Sequence, residues 1–366
     1  MEETYLELSV QLLWSVMLVL VILTLVLFVT SIVARFRHRQ HDLKVKALTD
    51  KFYPVILRYL SDELTEEEVE DYFSGQGLEY SVFEDIVFGM LESLEGEEAY
   101  KLQELLFLSP IFQHHLDQLN SSNDVSRIKA CTYFSYLRLI NYRVIKRLLD
   151  FLDSDNKLLV FSAASALMAS RETDIRAHAL YMVVKKKHYS GMAMLEMVYK
   201  FHNEEDEQMD EEAEVLRALI GNKNIPIDNA GVLIEAASEL GYQQLMPYFY
   251  EKLQSTRRRW RKPIVLKALI KAQGVYFNLE ATEEIKNHIA HKDPQVREMV
   301  AFTLGQFGGE EHLKSLYEML FDPVYEVKYM AIKMLYENGE EGIKFLEQSF
   351  EVPQLNTLLI LKTLQQ

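Results

Sequence analysis

The sequence predicts an all-α protein: a single N-terminal transmembrane helix followed by a cytoplasmic α-solenoid of paired helices. Three observations predict it. From Leu8 to Ala34 no residue is charged and nearly all are apolar. Gly and Pro together supply only 22 of 366 residues, too few for the turns of a β-sandwich or barrel. Helix-start and helix-stop residues recur at intervals of 29–34 residues, the length of a helix pair that stacks on its neighbours.

Residues 1–9 read as a short extracytoplasmic N-terminus and residues 10–34, VQLLWSVMLVLVILTLVLFVTSIVA, as the span. At about 1.5 Å per residue, these 25 residues exceed the ~30 Å hydrocarbon core and cross it with some tilt. A buried soluble helix of that length carries a polar stripe, and this one is apolar all round. Trp14 sits near one end, where an indole favours the interface. A cleaved signal peptide is disfavoured. The flank carries Glu2, Glu3 and Glu7 and no base, the apolar run outlasts the usual ~7–15 residues, and no small-x-small site closes it. Arg35, Arg37, Arg39, Lys44 and Lys46 follow at once, so the N-terminus faces outward and the remaining 332 residues are cytoplasmic. The lone Cys131 excludes a disulfide framework and a zinc finger, fits a reducing compartment, and reads as a small core residue.

Residues 35–108 read as a juxtamembrane linker and helical N-terminal cap, with the acidic stretch DELTEEEVED at 62–71. The solenoid occupies residues 109–366. Gly241, Gly274, Gly308 and Gly339 follow apolar stretches at spacings of 33, 34 and 31 residues and read as left-handed helix C-caps. Ala236, Ala237, Ala268, Ala272, Ala301 and Ala331 lie ahead of them, small enough to let neighbouring helices approach. Asp293-Pro294 and Asp322-Pro323 read as helix starts, since Asp caps and Pro is favoured at the first helical position. Upstream, Asp155, Val160, Ala164 and Met168 repeat the offsets of Asp322, Val327, Ala331 and Leu335, and Asp124 precedes Asp155 by 31 residues. A terminal helix is expected near 355–364.

The pattern D-P-x-V-R-x-x-x-A at 293–301, with its variant at 322–331, resembles the HEAT repeat, in its PBS-lyase-like subclass. The likeness is good over about 225–350, weaker over 109–185 and absent over 35–100. On length alone a tetratricopeptide array is the rival, and Asp-Pro-x-Val-Arg favours HEAT. The resemblance implies a curved helical scaffold for protein contacts, in a membrane-anchored bacterial HEAT-repeat protein of the inner membrane. It implies no substrate.

Two charged segments stand out. Residues 204–214 hold eight acids in eleven positions: Glu204, Glu205, Asp206, Glu207, Asp210, Glu211, Glu212 and Glu214. They read either as a solvated face or as an acidic contact that covers a basic groove. Arg257, Arg258, Arg259, Trp260, Arg261 and Lys262 put five bases around an indole, in a linker before Pro263. An exposed aromatic among arginines suits an anion or an acidic peptide. Three readings stay open for this loop: neutralisation of acids in the same chain, a protein partner, or a lipid or nucleotide. Lys185, Lys186 and Lys187 end a helix, where cations complement the dipole.

Chemistry is not indicated. Phosphate-cradling Gly loops, nucleophile elbows and zincin motifs do not occur. His288-x-x-His291 with Asp293 reads as a polar helix end, and His114 and His115 as a helix surface. No cofactor or metal is called for. A net charge of −16 disfavours nucleic acid. The expectation is a non-enzymatic membrane scaffold whose HEAT array binds a partner protein, with a membrane enzyme such as a glycosyltransferase for exported polysaccharide as one client. The alternative is a sensor that takes an anionic ligand or lipid at residues 257–262.

Overall fold

The computed structural model describes residues 2–75, 77–94, 96–137, 141–202 and 206–349. The terminal helix expected near 355–364 lies outside them. The described residues are helical, joined by turns and two short 3-10 turns, with no strand among them. The chain forms two compact units, Met1–Asp117 and Gln118–Gln366.

The first unit is led by α1 (Glu2–Leu60), 59 residues long. Residues 20–44 are all exposed, so among the described residues nothing covers this part of the apolar stretch. Its Thr24 and Thr30 hydroxyls donate back to carbonyls of their own helix at 2.9 Å, which leaves no hydroxyl proton to be hydrated. Thus α1 is long and apolar enough to cross a membrane. Toward its end the character changes, and Phe52, Val55, Ile56 and Tyr59 are buried. They meet α2 (Glu66–Glu70), α3 (Gly77–Leu91) and α4 (Glu97–Leu106). Thr65 and Glu68 close a capping box on α2, which makes the acidic stretch at 62–71 a turn and a short helix. The fifth helix, α5 (Ser109–Leu119), carries His115. The sequence placed this histidine on a surface, but it is buried, with Nε2 2.7 Å from the Glu84 carboxylate. An acid on the inward face of α3 gives it a reason to be inside.

The second unit is a series of helix pairs. Its helices are α6 (Asp124–Ser135), α7 (Tyr142–Phe151), α8 (Lys157–Leu167), α9 (Thr173–Val184) and α10 (Gly191–Phe201). Then come α11 (Asp206–Gly221), α12 (Ile227–Glu239), α13 (Met246–Gln254), α14 (Pro263–Val275) and α15 (Thr282–Lys286). The last are α16 (Pro294–Phe307), α17 (Glu310–Met319), α18 (Tyr325–Glu337) and α19 (Gly339–Ser349). Even-numbered helices stack on one another from α6 to α8 and again from α10 through α18, with α9 packed against both α8 and α10 and the other odd-numbered helices beside them. The six alanines singled out above are all buried in the even layer.

Close approach sets the spacing of that layer. A Cβ on Gly274 would meet Thr303 of α16 at 3.2 Å, and one on Gly305 would overlap the Met334 side chain of α18. Gly274 therefore corrects the cap assignment. Its neighbours in the pattern, Gly241, Gly308 and Gly339, have φ of 81°, 63° and 63° as caps should, while Gly274 lies inside α14 as a packing glycine. The left-handed residue there is Phe277, at φ 55°.

Asp293 caps α16, accepting from the Gln295 N–H at 2.9 Å, with Pro294 as the first helical residue. Asp322 departs from that reading, because α18 begins only at Tyr325. The Asp322 carboxylate accepts from the Val324 N–H at 2.8 Å and from Arg297 at 2.6 and 2.9 Å. A two-bond guanidinium–carboxylate pair fixes orientation as well as distance, so this pair locks one repeat to the next.

Candidate interaction surface

The turns that lead from an odd helix into the next even helix share one edge of the array, and hydrogen bonds between consecutive repeats hold them. Asn156 donates to Asp124 at 2.8 Å. Asn229, buried, donates to the carbonyls of Val184 at 2.7 Å and Lys186 at 3.0 Å. The basic loop belongs to this series, between α13 and α14.

Its five bases divide into two classes. Arg259 donates to the carbonyls of Asn222 at 3.1 Å, Ile225 at 3.3 Å and Ile220 at 3.4 Å. These include carbonyls at the C-terminal end of α11, which a helix leaves without intrahelical donors. Burial holds the Arg259 guanidinium below its ordinary pKa. Arg261 donates to Glu284 at 3.1 Å and lies 2.9 Å from His288 Nε2. Burial, then the Arg261 charge, pushes the His288 pKa down, so its neutral ring accepts a hydrogen bond from the guanidinium. Arg257, Arg258 and Lys262 are exposed. Trp260 is not the exposed aromatic the sequence suggested. It is 5% exposed, edge-on to Tyr248 at 6.5 Å, with Lys252 and Arg259 within 6 Å of its rings.

The acidic run divides as well. Glu204 and Glu205 lie outside the described residues, as do the side chains of Asp206 and Glu207 at the start of α11. Asp210 accepts from Gln244 at 2.9 Å, Glu211 from Thr173 at 3.0 Å, and Glu214 pairs with Arg217 at 3.2 Å. Glu212 corrects the reading of the run as one contact surface, because it is fully buried. It accepts from Arg176 at 2.8 Å and from the Tyr242 hydroxyl at 2.6 Å, while His202 Nδ1 lies 2.8 Å from that hydroxyl. Once the run is helical, Glu212 shares a face with Leu216 and Ile220, and that face is core. Among the described residues, Arg259 and Arg261 bond to backbone carbonyls, Glu284 and His288, not to the acidic run.

The structure adds a feature that single segments did not reveal. Between the turns before α10, α12 and α14 lies a cleft of about 700 Å³. Lys185, Lys187, Lys223 and Arg259 line it, against one carboxylate, Asp228. Its apolar lining includes Met194, Ile225, Ile227 and Ile264. The signal was distributed, with one or more bases in each of three successive turns.

No curated protein matches the chain. A crystal structure of an engineered protein aligns over 87% of this chain and 85% of its own, with 16% identity and a TM-score of 0.25. The HEAT-repeat family model matches residues 282–356, a shorter stretch than the 225–350 over which the sequence shows the resemblance. The C-terminal part of the array, from α15 onward, is thus similar to HEAT repeats.

Proposed function

We propose that this chain is a non-enzymatic scaffold, anchored in a bacterial cytoplasmic membrane by α1, with the helix array in the cytoplasm to bind a partner protein. One observation carries the reading: a fully exposed apolar helix stretch in the same chain as a stacked helix array. HEAT repeats serve as protein-interaction scaffolds, and stacking yields an extended surface. The positive flank after residue 34 supports an outward N-terminus. The resemblance supports two kinds of client, a membrane glycosyltransferase of exported polysaccharide or a signalling assembly, and the test below is set for the first.

The test is capture of the full-length, membrane-embedded chain after mild crosslinking, with partners identified by mass spectrometry. A single membrane enzyme in stoichiometric amount is the expected result, together with lower exported polymer on deletion and no transferase activity in the purified chain. Capture of nothing specific, or unchanged polymer on deletion, counts against the reading. The basic-loop control is R257E/R258E/K262E, since Arg259 and Arg261 hold repeats together.

A further inference from the structure

Four even-numbered helices, α8, α10, α12 and α14, begin with apolar side chains that the described residues leave partly or largely exposed. Leu158 on the first turn of α8 is 59% exposed and Met192 on the first turn of α10 is 75% exposed. Ile227 of α12 and Ile264 of α14, at the same place in their helices, are half-buried in the cleft wall. Bonds between turns keep these positions in register: Tyr189 before α10 donates to the Lys157 carbonyl at 2.8 Å, and Asn229 ties the start of α12 to the turn after α9. An apolar row therefore runs along this edge, and Lys185, Lys187, Lys223 and Arg259 flank it where it enters the cleft. Exposed carboxylates return beyond the row, at Asp153 and Asp155 before α8.

We infer that this row and cleft bind an extended, acidic segment of a partner protein that presents apolar side chains at every third residue. The inference rests on the scaffold reading and names its contact surface. Charge complementarity identifies the occupant. In a chain of net charge −16 an acidic segment is repelled from most of the surface and attracted to this cleft. Spacing gives the pattern: α10, α12 and α14 stack in turn, stacked helices lie about 8–10 Å apart, and an extended chain in the polyproline II conformation covers that distance in about three residues at ~3.1 Å each, with every third side chain on the same face. Apolar side chains then meet successive first turns, and carboxylates between them reach the lysines. Concavity favours a peptide over a bilayer, since a flat surface does not reach Ile227 and Ile264.

The probe is a fluorescein-labelled nine-residue peptide, Leu-Glu-Glu repeated three times, titrated by anisotropy against the full-length protein in zwitterionic nanodiscs. Saturable binding is expected, at least tenfold weaker for K185E/K187E/K223E, for M192D, and for the peptide with Ser in place of Leu. Lys314→Glu, exposed on α17, leaves binding unchanged, and circular dichroism confirms that each variant is folded. Binding no better than that of a Leu-Lys-Lys peptide, or unaffected by the lysine changes, overturns the inference. So does binding to phosphatidylserine vesicles that the lysine changes abolish while the acidic peptide does not bind, which would make the cleft a lipid contact. If the partner is still captured by K185E/K187E/K223E and the peptide fails, this surface is wrong and the scaffold reading stands.

Discussion

Glu212 shows what one buried charge does in a repeat array. It has no exposure and is held by Arg176, itself buried, and by Tyr242. Desolvating both ions costs energy that their pairing offsets only while both are present. E212A should destabilise the second unit by about 3–5 kcal/mol, because it strands the guanidinium, whereas R176M/E212L should recover most of that loss. Denaturant unfolding followed by circular dichroism decides it, and equal stability of E212A and the double variant would rule out the ion pair as the cause. His288 gives a pH signature. Burial and Arg261 hold its pKa below the ordinary 6.5, so the unfolded chain takes up the proton first as pH falls. Its contribution is complete above about pH 6.5 and declines below it, toward the lower folded value. H288Q should flatten that decline below about pH 6.5, read as the difference in unfolding midpoint from wild type.

Elements were more legible than their joints. The span, the Asp293 cap, the small-residue helices and three of four cap glycines follow from local rules, because caps and apolar stripes act within one helix. Gly274 and Asp322 were misread because their reasons lie one repeat away, in Thr303 and Arg297. The basic loop shows the same limit. Five adjacent bases look alike in sequence, and only the neighbouring repeat separates Arg259, which holds carbonyls of the α11 end, from the exposed Arg257 and Arg258. The cleft was illegible for a related reason, since its lysines come from turns 38 residues apart, at Lys185 and Lys223. The glycine contacts yield a prediction at this scale. G305A places a Cβ against Cβ, Cγ and Sδ of Met334, and overpacking of this kind costs about 1–3 kcal/mol. Gly241→Ala should also destabilise, for a different reason: its φ of 81° strains any side chain while nothing lies within 4 Å. M334A should rescue G305A in part and leave G241A unaffected, as thermal melts of the two double variants would show.

At the scale of the second unit, stability is the sum of contacts between adjacent repeats, because each helix touches mainly those of its own and the adjoining pairs. A lesion should therefore weaken its own neighbourhood before it weakens the whole. G305A sits where α16 meets α18, far along the chain from α6–α9. Hydrogen exchange followed by mass spectrometry should show faster exchange in peptides from α16, α18 and α19, with α6–α9 unchanged at early times. The polar locks work against such independence: Arg297–Asp322, Asn229–Val184 and Asn156–Asp124 each span one joint between repeats. If these ties couple the repeats more strongly than apolar stacking does, exchange will rise uniformly across Gln118–Gln366 and the unit will unfold as one. A graded response would instead place the weakest coupling at joints with few such ties, and the turns beside the cleft, held by Asn229 and Arg259, would then be among the last to open.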